Sequence, residues 1–228
     1  MFIAKASNSP KLPAKRLRQR ILRHHSGLAL ITAASMSGFC FLLSSNDPIT
    51  KWSMGTAYVS LVLLATTLIT GPIYMLRGLP LSPSTGFRRD VGIWSALVGL
   101  AHVIFGLQVH LRGKMWQYFF YPAHPGEPLH LRHDLFGVAN YTGLLAAIIL
   151  FLLLLSSNDL ILRLLKAKRW KNLQRLNYGL FVLVIIHSFA YHVETRPILL
   201  VCLFGLSVGT AVTCQLMGIW IVSRRNVT

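Results

Sequence analysis

A chain of 228 residues, 54% hydrophobic and only 13% charged, with a mean hydropathy of +0.55, has an integral membrane composition that one helical bundle would use up. Its 23 Lys and Arg against 6 Asp and Glu would point to nucleic acid in a soluble protein. Here the basic residues alternate with apolar runs too long for core helices, so membrane topology accounts for the charge and no nucleic-acid partner is expected.

Residues 1–26 hold Pro, Ser and a basic cluster with little apolar periodicity, and read as a cytoplasmic tail ending in a short interfacial helix. His24 and His25 are adjacent, so on a helix they point in different directions and give only a weak metal signal. Six spans follow, at about 27–43, 56–76, 91–110, 135–155, 176–193 and 197–222, each near the ~20 residues a helix needs to cross. Residues 27–222 are therefore expected to form one six-helix transmembrane domain, with 223–228 a cytoplasmic end. The first span lacks the small-residue cleavage site of a signal peptide.

Between spans one and two, Asp47-Pro48 reads as the breaker of a short outer turn, and Gly71-Pro72 as a place where span two kinks or finishes. The loop 77–90 brings Arg88 and Arg89 to the mouth of span three. There they set topology and touch headgroups, or else meet a haem propionate or a flavin phosphate. After span three comes an outer segment with an aromatic cluster, Trp116, Tyr118, Phe119, Phe120 and Tyr121, of the kind that settles at headgroup level. His124, His130 and His133 lie there too, as loop histidines or a metal site.

Span four reads as a nearly featureless packing helix. Residues 159–175 mix Leu160, Leu164 and Leu165 with Arg163, Lys166, Lys168, Arg169 and Lys171, a basic amphipathic segment for the inner leaflet or an acidic partner. Pro197 is a plausible first residue for span six. Cys40, Cys202 and Cys214 lie within spans, with no CxxC or CxxCH, so neither a disulfide framework nor covalently attached haem is expected.

With the N-terminus inside, 18 of the 23 basic residues fall on the inner side and five on the outer, which places both termini in the cytoplasm. Spans three and five then run the same way. His102 and His187 each lie eleven residues past the apolar start of their runs, about 16 Å deep at 1.5 Å per residue. Two imidazoles at one depth near mid-membrane are what a b-type haem iron needs as axial ligands. A lone intramembrane histidine is more simply a bridge between helices, and zinc would want a third ligand. His110 and His192 differ from this pair in helical phase and are expected nearer the outer interface, which favours a single haem. All six carboxylates, Asp47, Asp90, Glu127, Asp134, Asp159 and Glu194, read as loop or helix-end residues, which leaves a carboxylate proton relay without support.

The motifs LATTLITGP in span two, RRDVGIW with His102 thirteen residues after Arg89, and RWKNLQRLNYGLFVLVIIH with His187 seventeen after Trp170 resemble the ferric reductase-like transmembrane domain family over about 60–190. Within it they are most similar to the haem-binding membrane subunit of the bacterial methionine sulfoxide reductase system. The resemblance implies a six-helix b-type cytochrome that carries electrons across the inner (plasma) membrane, with a photosynthetic internal membrane as the alternative site. FMN is a second candidate cofactor. The chain has no GxGxxG, so electrons are expected from a separate flavin- or nicotinamide-dependent reductase on the cytoplasmic side, and they leave to a soluble outer reductase or to ferric iron. The family often carries another histidine thirteen residues before the one matching His187; this chain has Gln174 there, which argues against a second, inner haem. A cofactor-free scaffold or assembly factor is the competing reading, and a transporter the third.

Overall fold

The computed structural model describes residues 21–43, 45, 47–79, 81–112, 114–123, 128–192 and 198–225. The tail up to Arg20, His124, Glu127, Glu194 and Pro197 lie outside the described residues, as do the side chains of Asp159 and His192. Seven α-helices are described: α1 Ser26–Leu42, α2 Pro48–Leu76, α3 Leu81–Gly106, α4 Leu135–Ser156, α5 Asp159–Gln174, α6 Leu176–His192 and α7 Ile198–Arg225. Four apolar stretches are long enough to cross a membrane, Pro48–Leu76, Leu135–Ser156, Lys168–Tyr191 and Ile198–Arg224, and Ser26–Leu42 is a shorter apolar helix. The α3 helix is long enough as well, but its first ten residues, ending in Arg88, Arg89 and Asp90, are more polar than the rest. Large apolar side chains face outward along the bundle, among them Phe41, Leu30, Phe189, Ile198 and Leu206, as expected of a surface solvated by lipid.

Helix α2 is the central post. Over half of its apolar stretch is buried, against 11–17% for the other three long stretches. It packs on α3 and α7, while α4 packs on α6 and α3, and α1 leans on α2. Hydropathy alone starts this helix at residue 56. It begins eight residues earlier, because Asp47 is an N-cap rather than part of a turn: its carboxylate accepts from Thr50 N at 3.1 Å and from the Thr50 hydroxyl at 2.8 Å, and Pro48 occupies the first turn, where no N–H is missed. Polar residues enter the apolar stretch without loss because Thr66, Thr67 and Thr70 donate to the carbonyls four residues back.

Pro72 does not end the helix. It removes the N–H that Leu68 O would receive, and Gln215 of α7 supplies a replacement, its Nε2 donating to that oxygen at 2.6 Å. The helix stops instead at Gly78, with φ +63°, where Leu79 N donates to Tyr74 O and closes a left-handed cap.

Helix α3 also starts ten residues before the expected 91, so the 77–90 loop shortens to a turn and Arg88, Arg89 and Asp90 become helical. Pro83 falls in the first turn, where a proline is tolerated. Asp90, read as a helix-end residue, is instead inside the helix and fully buried. Its Oδ2 receives His24 Nδ1 at 2.7 Å, and its Oδ1 faces His25 Nε2 at 3.5 Å. Trp94 Nε1 donates to His25 Nδ1 at 3.2 Å, so the proton of a neutral His25 sits on the nitrogen that faces Asp90. The π-helical turn Ile21–His25 is thereby fastened to the bundle.

Reciprocal hydrogen bonds join α2 and α3 at mid-length, Ser60 Oγ to Ser95 O at 2.9 Å and Ser95 Oγ to Ser60 O at 3.0 Å. Beyond Gly106 the chain turns and folds back over one end of the bundle. The buried Tyr118 hydroxyl accepts from the N–H groups of His110 and Leu111 and lies 3.2 and 3.1 Å from the carbonyls of Gly106 and Leu107, so it stitches this turn to α3. Tyr121 N donates to His130 O and Arg132 N to Phe119 O, which closes the aromatic segment into a cap. At the opposite end, carrying the basic α5, the C-terminal carbonyls of α4 are covered by side chains: Arg89 Nε donates to Ser157 O at 2.7 Å and Trp170 Nε1 to Ser156 O at 2.9 Å. The basic segment is helical as expected, with a break at Lys166, φ 59°.

Candidate cofactor site

Helices α3 and α6, which carry His102 and His187, approach each other through these two side chains. A cavity of about 570 Å³ lies between them, lined from α2, α3, α4, α6 and α7, within the size range of cofactor sites. Both imidazoles project into it, with ring centres 6.1 Å apart and planes at 78°.

The tautomer of each ring follows from its backbone partner. His102 Nδ1 lies 2.9 Å from Ser53 O, and His187 Nδ1 lies 2.7 Å from Ala139 O. A carbonyl cannot donate, so in each ring the proton is on Nδ1 and the lone pair is on Nε2. A hydrogen bond at one ring nitrogen fixes the orientation of an imidazole and leaves the other nitrogen as the acceptor. A metal–imidazole bond of about 2 Å sets two rings that share one ion about 6 Å apart between centres, in agreement with the separation here. Among the described residues no cluster of three or more His, Cys, Asp or Glu is placed to hold a metal.

Small residues make room for the rings. A Cβ on Gly143 of α4 would stand 2.6 Å from Nδ1 and 2.8 Å from Cε1 of His187, whereas one on Gly106 would make only ordinary contact with His102, at 3.7 Å. Helix α4, which reads as featureless, therefore contributes the Ala139 carbonyl, Asn140 and Gly143 to the site. Neither carbonyl partner is visible in a sequence, since every residue has one. Tyr191 was legible as the residue one turn beyond His187 but was not singled out.

The cavity is polarised. Toward the basic end its walls are Leu61, Leu64, Ala146, Leu150, Leu180 and Val184, most of them in the main hydrophobic core. Toward the capped end apolar Leu107, Met115 and Phe119 are interspersed with polar groups, those of Thr50, His110, Tyr118, Asn140, Ser188 and Tyr191. Exposed His110 stacks on Tyr191, with centres 6.1 Å apart and planes at 10°, and Tyr191 meets the edge of His187 at 5.1 Å. The Tyr191 hydroxyl donates to Asn140 Oδ1 at 2.8 Å.

Arg88 and Arg89 lie elsewhere. They precede His102 by 14 and 13 residues, about 20 Å along the helix, and are not among the described residues that line the cavity. Arg88 Nε donates to Thr67 O at 3.1 Å across Gly71, and Arg89 caps α4. Gln174 donates to Ser156 Oγ at 3.2 Å, so this end is knotted by side-chain hydrogen bonds. In the cap, His133 lies edge-on to Tyr121 at 5.2 Å.

Residues 51–186, more than half of the chain and including most of the cavity wall, match the family of the ferric reductase like transmembrane component. No curated protein and no solved structure matches the chain. The match covers His102, ends one residue before His187, and agrees with an all-helical bundle that has several membrane-length helices: the chain is a multi-pass membrane protein of the ferric reductase-like transmembrane component family.

Proposed function

We propose that this protein is a single-haem b-type cytochrome that carries electrons across the membrane, with His102 and His187 as the axial ligands. The observation that carries the reading is the pair of imidazoles that line one preformed cavity with ring centres 6.1 Å apart, each held at Nδ1 by a backbone carbonyl, of Ser53 and of Ala139. When bound, haem iron cycles between ferric and ferrous and so holds one electron at a time. The chain's own part is to fix both imidazoles, to exclude water with the apolar wall, and to provide a low-dielectric shell that tunes the potential.

In this reading six helices cross, namely α1 to α4, α6 and α7, and the basic end with both termini faces the cytoplasm, by the excess of Lys and Arg there. Electrons enter at that end from a separate flavin- or nicotinamide-dependent reductase, for which basic α5 offers an electrostatic landing surface. FMN is a candidate second cofactor near Arg88 and Arg89, whose guanidinium groups also brace neighbouring helices. Electrons leave at the capped end to a soluble reductase, as in the methionine sulfoxide branch, or to ferric iron. The membrane is the plasma (inner) membrane.

The test is a dithionite-reduced minus oxidised spectrum of detergent-purified protein with a pyridine haemochrome assay. A b-type α band at one haem per chain is expected, lost in His102→Ala and in His187→Ala while both variants still insert. A colourless wild type, despite haem supplied during expression, overturns the reading, and two haems per chain overturn the single-centre assignment.

A further inference from the structure

Haem b is an asymmetric ligand, with one hydrocarbon edge and one edge bearing two propionate carboxylates. Burying a carboxylate among apolar side chains is very costly, so the polarity of the cavity selects an orientation. Toward the basic end the walls are aliphatic and closed by core residues, Leu68 and Leu180 each 1% exposed and Ala96 2%. Arg88 and Arg89, the cations that sequence offers for a propionate, lie beyond that plug. Toward the cap the cavity wall includes exposed His110, and Asn140 and Tyr191 are beside it.

We infer that the capped end of the cavity is a carboxylate subsite, with the His110 side chain and the second N–H of the Asn140 amide, whose first donates to Phe136 O at 2.7 Å, receiving the haem propionates, so that the hydrocarbon edge of the haem points toward the basic end. The inference rests on the haem reading above. Two features make the subsite a built one. The turn that carries His110 is held by the buried Tyr118 hydroxyl through the backbone N–H of His110 and Leu111, which fixes where the imidazole starts. The ring itself is set by parallel stacking on Tyr191, whose hydroxyl is in turn fixed by Asn140. Because Tyr118 grips the backbone, replacing the His110 side chain leaves that anchor in place.

The experiment uses the full chain, made haem-free and reconstituted in nanodiscs, titrated with haemin and with haemin dimethyl ester, whose carboxylates are masked. Wild type is expected to bind haemin about tenfold or more tightly than the ester, the scale of one charge-assisted hydrogen bond. His110→Leu combined with Asn140→Leu is expected to remove most of that preference while keeping a low-spin Soret band, which reports an intact axial pair. Equal affinity of wild type for the two ligands overturns the inference. So does a preference that survives His110→Leu/Asn140→Leu but disappears in Arg88→Gln/Arg89→Gln, which would turn the propionates toward the basic end. Failure of wild type to bind either ligand removes the haem reading itself, and is told apart from both by the absence of any Soret change.

Discussion

The imidazole of His187 occupies the space that a side chain at residue 143 would need. With a Cβ on Gly143 placed 2.6 Å from Nδ1 and 2.8 Å from Cε1, Gly143→Ala must displace the ring, and the displaced ring loses its hydrogen bond to Ala139 O. Overpacking of this kind costs about 1–3 kcal/mol. The expected result is a lower melting temperature together with reduced haem content and a high-spin fraction in what remains. Gly179→Ala on α6, the helix that carries His187, meets nothing within 4 Å and serves as the control. Normal low-spin haem in Gly143→Ala would show that the ring is not positioned by this contact.

Gln215 and Pro72 are coupled through an oxygen that belongs to neither. Leu68 O lacks a helical donor because Pro72 has no N–H, and Gln215 Nε2 provides one at 2.6 Å. Gln215→Leu leaves the carbonyl unpaired in an apolar core, a loss of about 1–3 kcal/mol. Pro72→Ala restores the missing N–H, so in that background Gln215→Leu should cost much less. Thermal unfolding of the four proteins in one detergent measures the coupling, and equal losses in both backgrounds would sink the explanation.

How much of this could be read from the sequence depends on the residue. His102 and His187 stand out because polar groups in a long apolar run are costly and therefore need partners, and their facing positions across one cavity agree with the depth count. Hydropathy starts the second and third spans at 56 and 91, whereas the helices start at Pro48 and Leu81, because Asp-Pro signals a helix beginning as readily as a turn and polar first turns do not count as span. The partners of the two histidines were illegible, since Ser53 and Ala139 act through their backbones. Asp90 was misread for another reason. In RRDVG it looks like one more charge at a membrane mouth, and its burial follows only once the turn at residues 21–25 docks on α3.

That docking gives a third prediction. Asp90 is fully buried and receives His24 Nδ1 at 2.7 Å, with His25 opposite. Asp90→Asn puts an amide where an acceptor-only carboxylate meets imidazole donors, and is expected to cost about 1–3 kcal/mol. The cost should fall on the fastening of the N-terminal segment, so trypsin should cleave within residues 1–23 faster in Asp90→Asn than in wild type. His24→Ala is expected to do less, since its side chain is 40% exposed. If the cleavage rate of Asp90→Asn matched that of wild type, the latch would have to lie elsewhere.

The cap should be sensitive to acid through Asp134. Its carboxyl is held below the ordinary range, first by the hydrogen bond from the Arg132 guanidinium and further by the Gly137 N–H at the start of α4. Arg132 is in turn sandwiched against Tyr121 and Phe136, at 5.0 and 4.8 Å from the ring centres. A carboxyl whose folded value is depressed stabilises the protein fully above its unfolded value, near 4, and loses that contribution as pH falls through the lower folded value. Wild type should therefore lose stability below about pH 4 in part through this group, by an amount near the ~1 kcal/mol of a helix cap and reduced by solvent screening. Asp134→Asn retains a capping oxygen but cannot titrate, so it should start lower at neutral pH and change less on acidification. The two melting temperatures followed from pH 7 to about pH 3 should converge; parallel curves would mean that the acid response of the cap belongs to another group.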